Sequence, residues 1–194
     1  MTVNTTPYAL LVGTGTLYIG AASLAAPAVN AAPGTGWTAL GETDGGVKIN
    51  KTQNIEAFGS DQRTGKVKAV RTEEGITIET NLQESTLENL ANVIGGTVTD
   101  TAPGSGTIGI RTLKPHAGAI VTEYALLFRG VSAYGDFPAQ YYVPRGYFGD
   151  DVEMEFTKDG KTLIPVKFEA LEDLTAATES ERFGLFTMQD AVAA

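Results

Sequence analysis

Apolar side chains recur at every second position over much of this chain. Val47 and Ile49 alternate with Lys48 and Asn50, and Val67 and Val70 lead on to Ile76, Ile78 and Leu82, which interleave with Thr77, Glu79 and Asn81. Further on, Val152, Met154 and Phe156 alternate with Glu153 and Glu155. A period of two places successive side chains on opposite faces of a strand, so each run reads as a half-buried strand and argues against a helix. Residues 8–12 and 17–19 read as short strands around Gly13-Thr14-Gly15, and 119–128 and 139–143, with Ile108 and Ile110, are also strand-like. Asp159-Gly160 between 152–156 and 163–168 is a hairpin signal. The fold class is therefore mainly β (α+β): an antiparallel β-sandwich or barrel-forming sheet.

One segment departs from this rhythm. Ser85-Thr86-Leu87-Glu88 has the form of a capping box, with Ser85 as the cap, and Leu87, Leu90, Ala91 and Ile94 fall on one helical face before Gly95-Gly96. A single flanking helix is expected to cover one side of the sheet. The remainder is connection. Residues 21–36 are Ala, Pro and Gly with little to bury, and 97–107 read as a linker. Residues 51–66 form a polar connection too long for an ordinary hairpin loop, and long connections tend to be functional or mobile. After Asp173 the tail is polar, with Phe183, Leu185 and Phe186 as its bulky anchors. No repeat and no break divides the chain, so 1–194 reads as one domain, with an N-terminal arm at 1–14 and a C-terminal tail at 174–194.

The composition removes most catalytic chemistry. The 194 residues include no Cys and one His, which excludes disulfides, thiolate zinc, a cysteine nucleophile and a multi-histidine metal site. Gly13-Thr14-Gly15 lacks the third glycine and the following helix of a dinucleotide site, since Tyr18 stands at that place. No Gly-Lys-Ser/Thr closes a phosphate loop, and His116 sits in the turn-like Lys114-Pro115-His116-Ala117-Gly118, a poor setting for a serine triad. Asp150-Asp151 and Glu172-Asp173 lack the spaced oxygens of a calcium loop. The expectation is no enzyme, no cofactor and no metal.

Net charge is −9, concentrated as −6 within 151–194, and no cluster of Lys and Arg suits tight binding of nucleic acid. No basic residue precedes Lys48, and the apolar stretch at 17–32 is broken by Pro27 and Asn30, so neither an export signal nor a membrane span is expected. The sequons at Asn4 and Asn50 are read as chance. A mostly antiparallel chain has sheet edges whose free N–H and C=O groups must be covered or joined to another chain. Head-to-tail association of identical subunits closes such edges into rings.

Several runs carry a resemblance. Gly15-Thr16-Leu17-Tyr18-Ile19-Gly20, then Trp37-Thr38-Ala39-Leu40-Gly41 with Gly45-Gly46-Val47-Lys48-Ile49, stand first in order. Asp61-Gln62-Arg63-Thr64-Gly65-Lys66-Val67 and the stretch from Ile78 through Leu90 follow, and Ile164-Pro165-Val166-Lys167-Phe168-Glu169-Ala170-Leu171-Glu172-Asp173 closes the series. In that order the chain resembles the tail tube proteins (major tail proteins) of long-tailed, siphovirus-type bacteriophages. The resemblance implies a β-sandwich with a flanking helix that forms hexameric rings stacked into a hollow tube, the conduit for DNA ejection. It implies a virion tail location after synthesis and assembly in the host cytoplasm. Its implied partners are further copies of the chain and the tail terminator, tape measure and distal tail proteins. DNA would pass without tight binding, and no membrane is involved.

By the same resemblance the 51–66 connection meets the next ring, with Phe58, Asp61, Gln62 and Arg63 as its contact residues, and the arm and tail brace the ring from outside. Glu79, Glu153 and Glu155 are the acidic side chains expected to line the bore and repel phosphate. An inner tube from a related contractile machine is an alternative with a similar fold. A monomeric β-sandwich module for carbohydrate or receptor recognition is another, with Trp37, Tyr141, Tyr142, Tyr147 and Phe148 as an aromatic platform.

Overall fold

The computed structural model describes residues 14–156 and 158–192. The strand expected at 8–12 and nearly all of the arm at 1–14 lie outside them. Strand β1 spans Thr16–Ala21, β2 Thr38–Ala39, β3 Thr43–Gly59 and β4 Lys66–Leu82. Helix α1 is Leu87–Ile94, β5 is Thr97–Thr101 and β6 is Ile110–Lys114. The chain continues with β7 (Tyr124–Val131), β8 (Pro138–Phe148), β9 (Ile164–Ala170) and β10 (Leu185–Met188).

In β4 the even residues Ile76, Ile78, Thr80 and Leu82 are buried while the odd residues between them are not. Cross-strand register carries that face sideways: Ile49 of β3 lies opposite Ile78, which lies opposite Phe168 of β9, and Leu82 lies opposite Ile164. The eight-stranded antiparallel sheet runs β2-β1-β7-β8-β9-β4-β3, with β10 beside β8. Leu17 and Ile19 from β1 share one core with Ile78, Leu126, Val143, Ile164 and Phe168. Strands far apart in the sheet thus face each other, and the sheet folds over itself into a sandwich. Each large side chain buried there contributes about 1.5–3 kcal/mol.

Strand β8 makes the fold-over feasible. Its edge away from β7 serves β10 at residues 139–142 and β9 from Gly146 to Phe148. Pro144 occupies the gap between the two partners, where its missing N–H forfeits no ladder bond. A Cβ on Gly146 would collide with the Phe168 ring and the Glu169 carbonyl, so only glycine allows β8 and β9 to approach this closely.

The opposite face of β7 and β8 is also covered. Leu24, Ala26 and Trp37 pack on Ala125, Leu127 and Tyr142. The segment 21–36, expected to bury little, is therefore a strap lying flat on the sheet. Its carbonyls bind it there: Tyr142 donates its hydroxyl to Leu24 O at 2.8 Å, Gln140 its amide to Pro27 O at 2.9 Å, and Arg129 its guanidinium to Val29 O and Ala31 O. Burial, with Asp173 adding to it, pushes the Tyr142 hydroxyl up to about 12, which keeps it a proton donor. Asp173 is 4% exposed and accepts from Thr175 N at 2.9 Å and Thr175 Oγ1 at 2.6 Å. The Thr175 hydroxyl, then its amide, the Ser23 hydroxyl and the Arg145 charge hold the Asp173 carboxyl below the ordinary carboxylate range against the opposing effect of burial.

The helix forms where expected, with its cap and face displaced. Thr86, rather than Ser85, is the N-cap, accepting from Asn89 N at 3.2 Å, while Ser85 donates to Thr162 O at 2.7 Å. Gly95 ends the helix at φ 77°. The buried positions are Asn89 and Val93, and Ile94 is 37% exposed. Asn89 turns the helix this way because its side-chain amide donates to Leu40 O at 3.1 Å and to Glu84 O at 2.9 Å.

Three further expectations are corrected. The linker at 97–107 contains β5, which pairs with β6 in a separate two-stranded sheet. The strand expected at 119–128 begins only at Tyr124. Residues 152–156 form no hairpin with 163–168: β9 pairs with β4 and β8, and Val152 and Met154 instead pack against the core as irregular chain. In the tail, two of the expected anchors do pack: Phe183 lies against the core, and the Phe186 ring of β10 lies 4.9 Å from that of Tyr141.

Two outcomes follow. Asn89→Ala strips hydrogen bonds from two carbonyls and is expected to lower stability by about 1–3 kcal/mol, read as a lower urea midpoint at unchanged slope. A carboxyl depressed in the folded state stabilises above its unfolded pKa of about 3.9 and loses that contribution as pH falls through the folded value. Asp173→Asn should therefore be destabilised at neutral pH and show a flatter melting-temperature profile below about pH 4 than the parent protein.

Candidate assembly interface

Strands β3 and β4 run side by side past the end of their own core. From Lys51 to Gly59 and from Lys66 to Glu74 every residue is exposed. Nine residues at about 3.4 Å each carry this ribbon roughly 30 Å outward. A two-stranded ribbon alone in water is at best marginally stable. Lys51 Nζ lies 3.0 Å from Glu74 Oε2, Arg71 reaches the same carboxylate at 3.4 Å, and Arg71 Nε donates to Gln53 Oε1 at 3.1 Å. The hydrogen bond from Lys51 is the main reason that the Glu74 carboxyl sits below its ordinary range.

Directly opposed residues of an antiparallel pair share a face. Ile55 opposite Arg71 and Ala57 opposite Ala69 lie on one face; Glu56 opposite Val70 and Phe58 opposite Lys68 lie on the other. Ile55 is 50% and Phe58 51% exposed, with Val67 and Val70 also exposed. Apolar side chains thus stand in solvent on both sides of one ribbon. Between residues 55 and 72 there are four Lys and Arg against two acids, a basic tip on a chain of net charge −9. Among the described residues, the outer edge of β3 has no strand partner along its length.

The long loop expected at 51–66 is mostly strand: 51–59 and Lys66 belong to the ladder, and only 60–65 form the turn. Arg63 N donates to Ser60 O at 3.0 Å across it. Asp61, Gln62 and Arg63 occupy that turn, and Phe58 stands just before it on β3, so the four residues converge at one tip. Val67 and Val70 are legible in the sequence as strand, whereas Ile55, Lys68 and Arg71 are not singled out by it. The alternation in Lys66-Val67-Lys68-Ala69 was the available signal, hidden because no buried face confirms it.

The three acidic residues are not brought together. Glu79 lies on β4 and pairs with Lys48 Nζ at 3.0 Å, in register with Lys167 on its other side. Glu153 and Glu155 are exposed on irregular chain, so the strand face expected to hold them is absent. The aromatic platform is dispersed too. Trp37 and Tyr142 meet edge-on beneath the strap at 6.2 Å, Phe148 packs on Tyr124 and Phe168, Tyr141 lies between Phe128 and Phe186, and Tyr147 donates to Glu169 Oε2 at 2.8 Å.

A groove of 490 Å³ between β3 and the β1–β7 corner is lined by Val47, Ile49, Phe128, Val131 and Tyr141 without carboxylate, imidazole or amine. His116 is exposed in its loop. Among the described residues no three His, Asp or Glu side chains are placed to hold a metal ion, and no helix is long and apolar enough to cross a membrane.

No curated protein matches the chain. A family model described as phage tail tube protein matches residues 1–190, which takes in the sandwich, the helix and the projecting ribbon. The match spans nearly the full length, and it joins a sheet with an unpaired edge to a ribbon bare on both faces; the chain belongs to the phage tail tube protein family.

Proposed function

We propose that this chain is the repeating subunit of a phage tail tube, closing into rings of six that stack to make the conduit for DNA ejection. Family membership supports a structural role in the virion tail, built with other tail proteins. The observation that carries the finer reading is the ribbon of 51–59 and 66–74, exposed on both faces and bearing Ile55, Phe58, Val67 and Val70. A ribbon of this kind gains its stability from a neighbour. Inserted between subunits of the next ring, it would bury apolar groups on both faces at once. Asp61 and Arg63 at its tip would add charge-assisted bonds. The free edge of β3 supplies the lateral contact, where a strand of the adjacent subunit would complete the ladder and close the ring.

The tail terminator, tape measure and distal tail proteins are the partners this role requires at the tube's ends and interior. Synthesis and assembly in the host cytoplasm go with it. The tube reading favours a non-contractile tail.

Negative-stain microscopy of the purified protein tests the proposal, with tubes of uniform width expected. Phe58→Asp together with Val70→Asp should raise the concentration needed for assembly at least tenfold, since a central contact of about 2 kcal/mol exceeds the 1.4 kcal/mol that a factor of ten represents. The melting temperature of the unassembled variant should stay near that of the parent, because neither side chain touches the core. Tubes of normal length at the parent's concentration would remove the ribbon from the stacking contact. Parent protein that stays monomeric at high concentration would overturn the tube itself.

A further inference from the structure

A groove and a hollow adjoin at the base of β3. The apolar groove is the one that holds Val47, Ile49, Phe128, Val131 and Tyr141; the hollow, of 500 Å³, holds Glu42 and Glu84, and Thr14, Gly15 and Thr43 form the wall they share. Local sequence builds both. Three residues of β3, 45–47, stand opposite Thr80 of β4, because the register shifts between Asp44 and Lys48. Extra residues in one strand make a bulge, which bends the strand and re-aims its side chains. Gly45 and Gly46 take φ of 79° and 81° there, which glycine adopts without strain, and Thr80 Oγ1 donates to Gly46 O at 2.7 Å. Val47 leaves the bulge lining the groove. Gly41 lies at φ 83°, and a Cβ there would collide with the Glu84 carboxylate, so this glycine lets the carboxylate lie against the chain at the hollow.

The ribbon offers the matching chemistry. Phe58 and Lys68 stand directly opposite each other on one of its faces, with Val70 next along, and Lys66 follows opposite Gly59. The ribbon's ion pairs lie at Lys51, Arg71 and Glu74, away from these lysines. Among the described residues that line the hollow there are two carboxylates and no cation. A ring beside lysines on the ribbon thus answers an apolar groove beside two carboxylates at the base of β3. The same chain cannot bring the two together. Phe58 lies fifteen residues beyond Thr43 on one continuous strand, which is roughly 50 Å at about 3.4 Å per residue. A ribbon that enters this groove therefore belongs to a second copy.

We propose that the groove of Val47, Ile49, Phe128 and Tyr141 is the seat for the ribbon of a second copy, with Phe58 in its apolar part and Lys66 and Lys68 reaching Glu42 and Glu84 in the hollow. This rests on the stacking reading above and deepens it: that reading supplies the projecting ribbon, and the seat names what receives it. Ribbon and seat are different patches of one chain, so each copy added presents one more of each, and the association continues head to tail. Charge selects the orientation. Tip against tip sets lysine on lysine, seat against seat sets carboxylate on carboxylate, and ribbon in seat brings unlike charges together. The Phe58 ring fills the groove by side-chain burial and leaves the backbone edge of β3 for the lateral contact.

Charge reversals test this through the protein concentration at which tubes appear under negative stain. Lys66→Glu/Lys68→Glu and, separately, Glu42→Lys/Glu84→Lys should each raise it at least about tenfold, because like charges then meet in the seat. A chain carrying all four changes has the two charges exchanged and should assemble within about threefold of the parent, a recovery that only coupled sites give. Lys66→Glu/Lys68→Glu joined to Glu153→Lys/Glu155→Lys has the same net charge with the seat unaltered, and should stay as weak as the ribbon pair alone. Recovery in that control, or none in the exchanged chain while the parent makes tubes, would overturn the seat and leave the tube reading standing. Assembly that weakens with the ribbon pair and ignores the groove pair would also overturn it, passing the groove to another occupant, the apolar residues 8–12 that precede Thr14. Parent protein that makes no tubes would defeat the tube reading and the seat with it.

Discussion

A hairpin that outruns its own core sets the terms for everything else in this molecule. Up to Ile76 the ladder of β3 and β4 rests on a buried face and shares the stability of the sandwich; beyond it the same ladder has water on both sides. Backbone hydrogen bonds alone do not hold such a ribbon, because each is exchanged for bonds to water at little net gain. The chain nevertheless maintains strand geometry as far as the turn, with a cross-strand ion pair, Lys51–Glu74, only near the base of the ribbon. A globular protein selected to work alone would shorten this hairpin or cover it. Retaining it makes sense when a neighbour supplies the missing face.

The sandwich is built to anchor that projection. Leucines and isoleucines of β1 pack against those of β4 and β9 although these strands lie at opposite ends of the sheet. The closure depends on β8 changing partners at Pro144, on Gly146 admitting β9, and on the strap at 21–36 sealing the face of β7 and β8 that the core leaves open. Asp173 and Arg145 lie where strap, β8 and tail meet, and their charges favour each other across that junction.

How much of this the sequence discloses depends on the range of the interaction. Residues 47–50 and 76–82, with the helix and its terminal Gly95, are legible because alternation and capping are local. The hairpin expected at 152–168 is not, because Ile164 finds Leu82 some eighty residues earlier, and that long-range pairing outcompetes a local Asp-Gly turn. The strap was misread because its hold comes from its own carbonyls meeting Tyr142, Gln140 and Arg129, and carbonyls are the same in every sequence. An uninterrupted Ala125-Leu126-Leu127 does record that β7 is buried on both faces. At the ribbon tip, what joins Phe58, Asp61, Gln62 and Arg63 in the sequence is the family resemblance alone. The basic and apolar alternation beside them is invisible to any rule that equates pattern with burial.

Charge distribution follows the same division between what the subunit completes by itself and what it leaves for neighbours. The excess acid lies toward the C-terminal segment, the ribbon tip carries a local excess of Lys and Arg, and on the face of β3–β4–β9 Lys48 pairs with Glu79 and Lys167 with Glu169. A tip of opposite sign to the body it would dock against favours head-to-tail stacking over tip-to-tip contact, since like charges meeting at the tip are repulsive. Exposed pairs are worth little to stability one by one. Their value here lies in direction: they bias which surfaces of identical subunits attract.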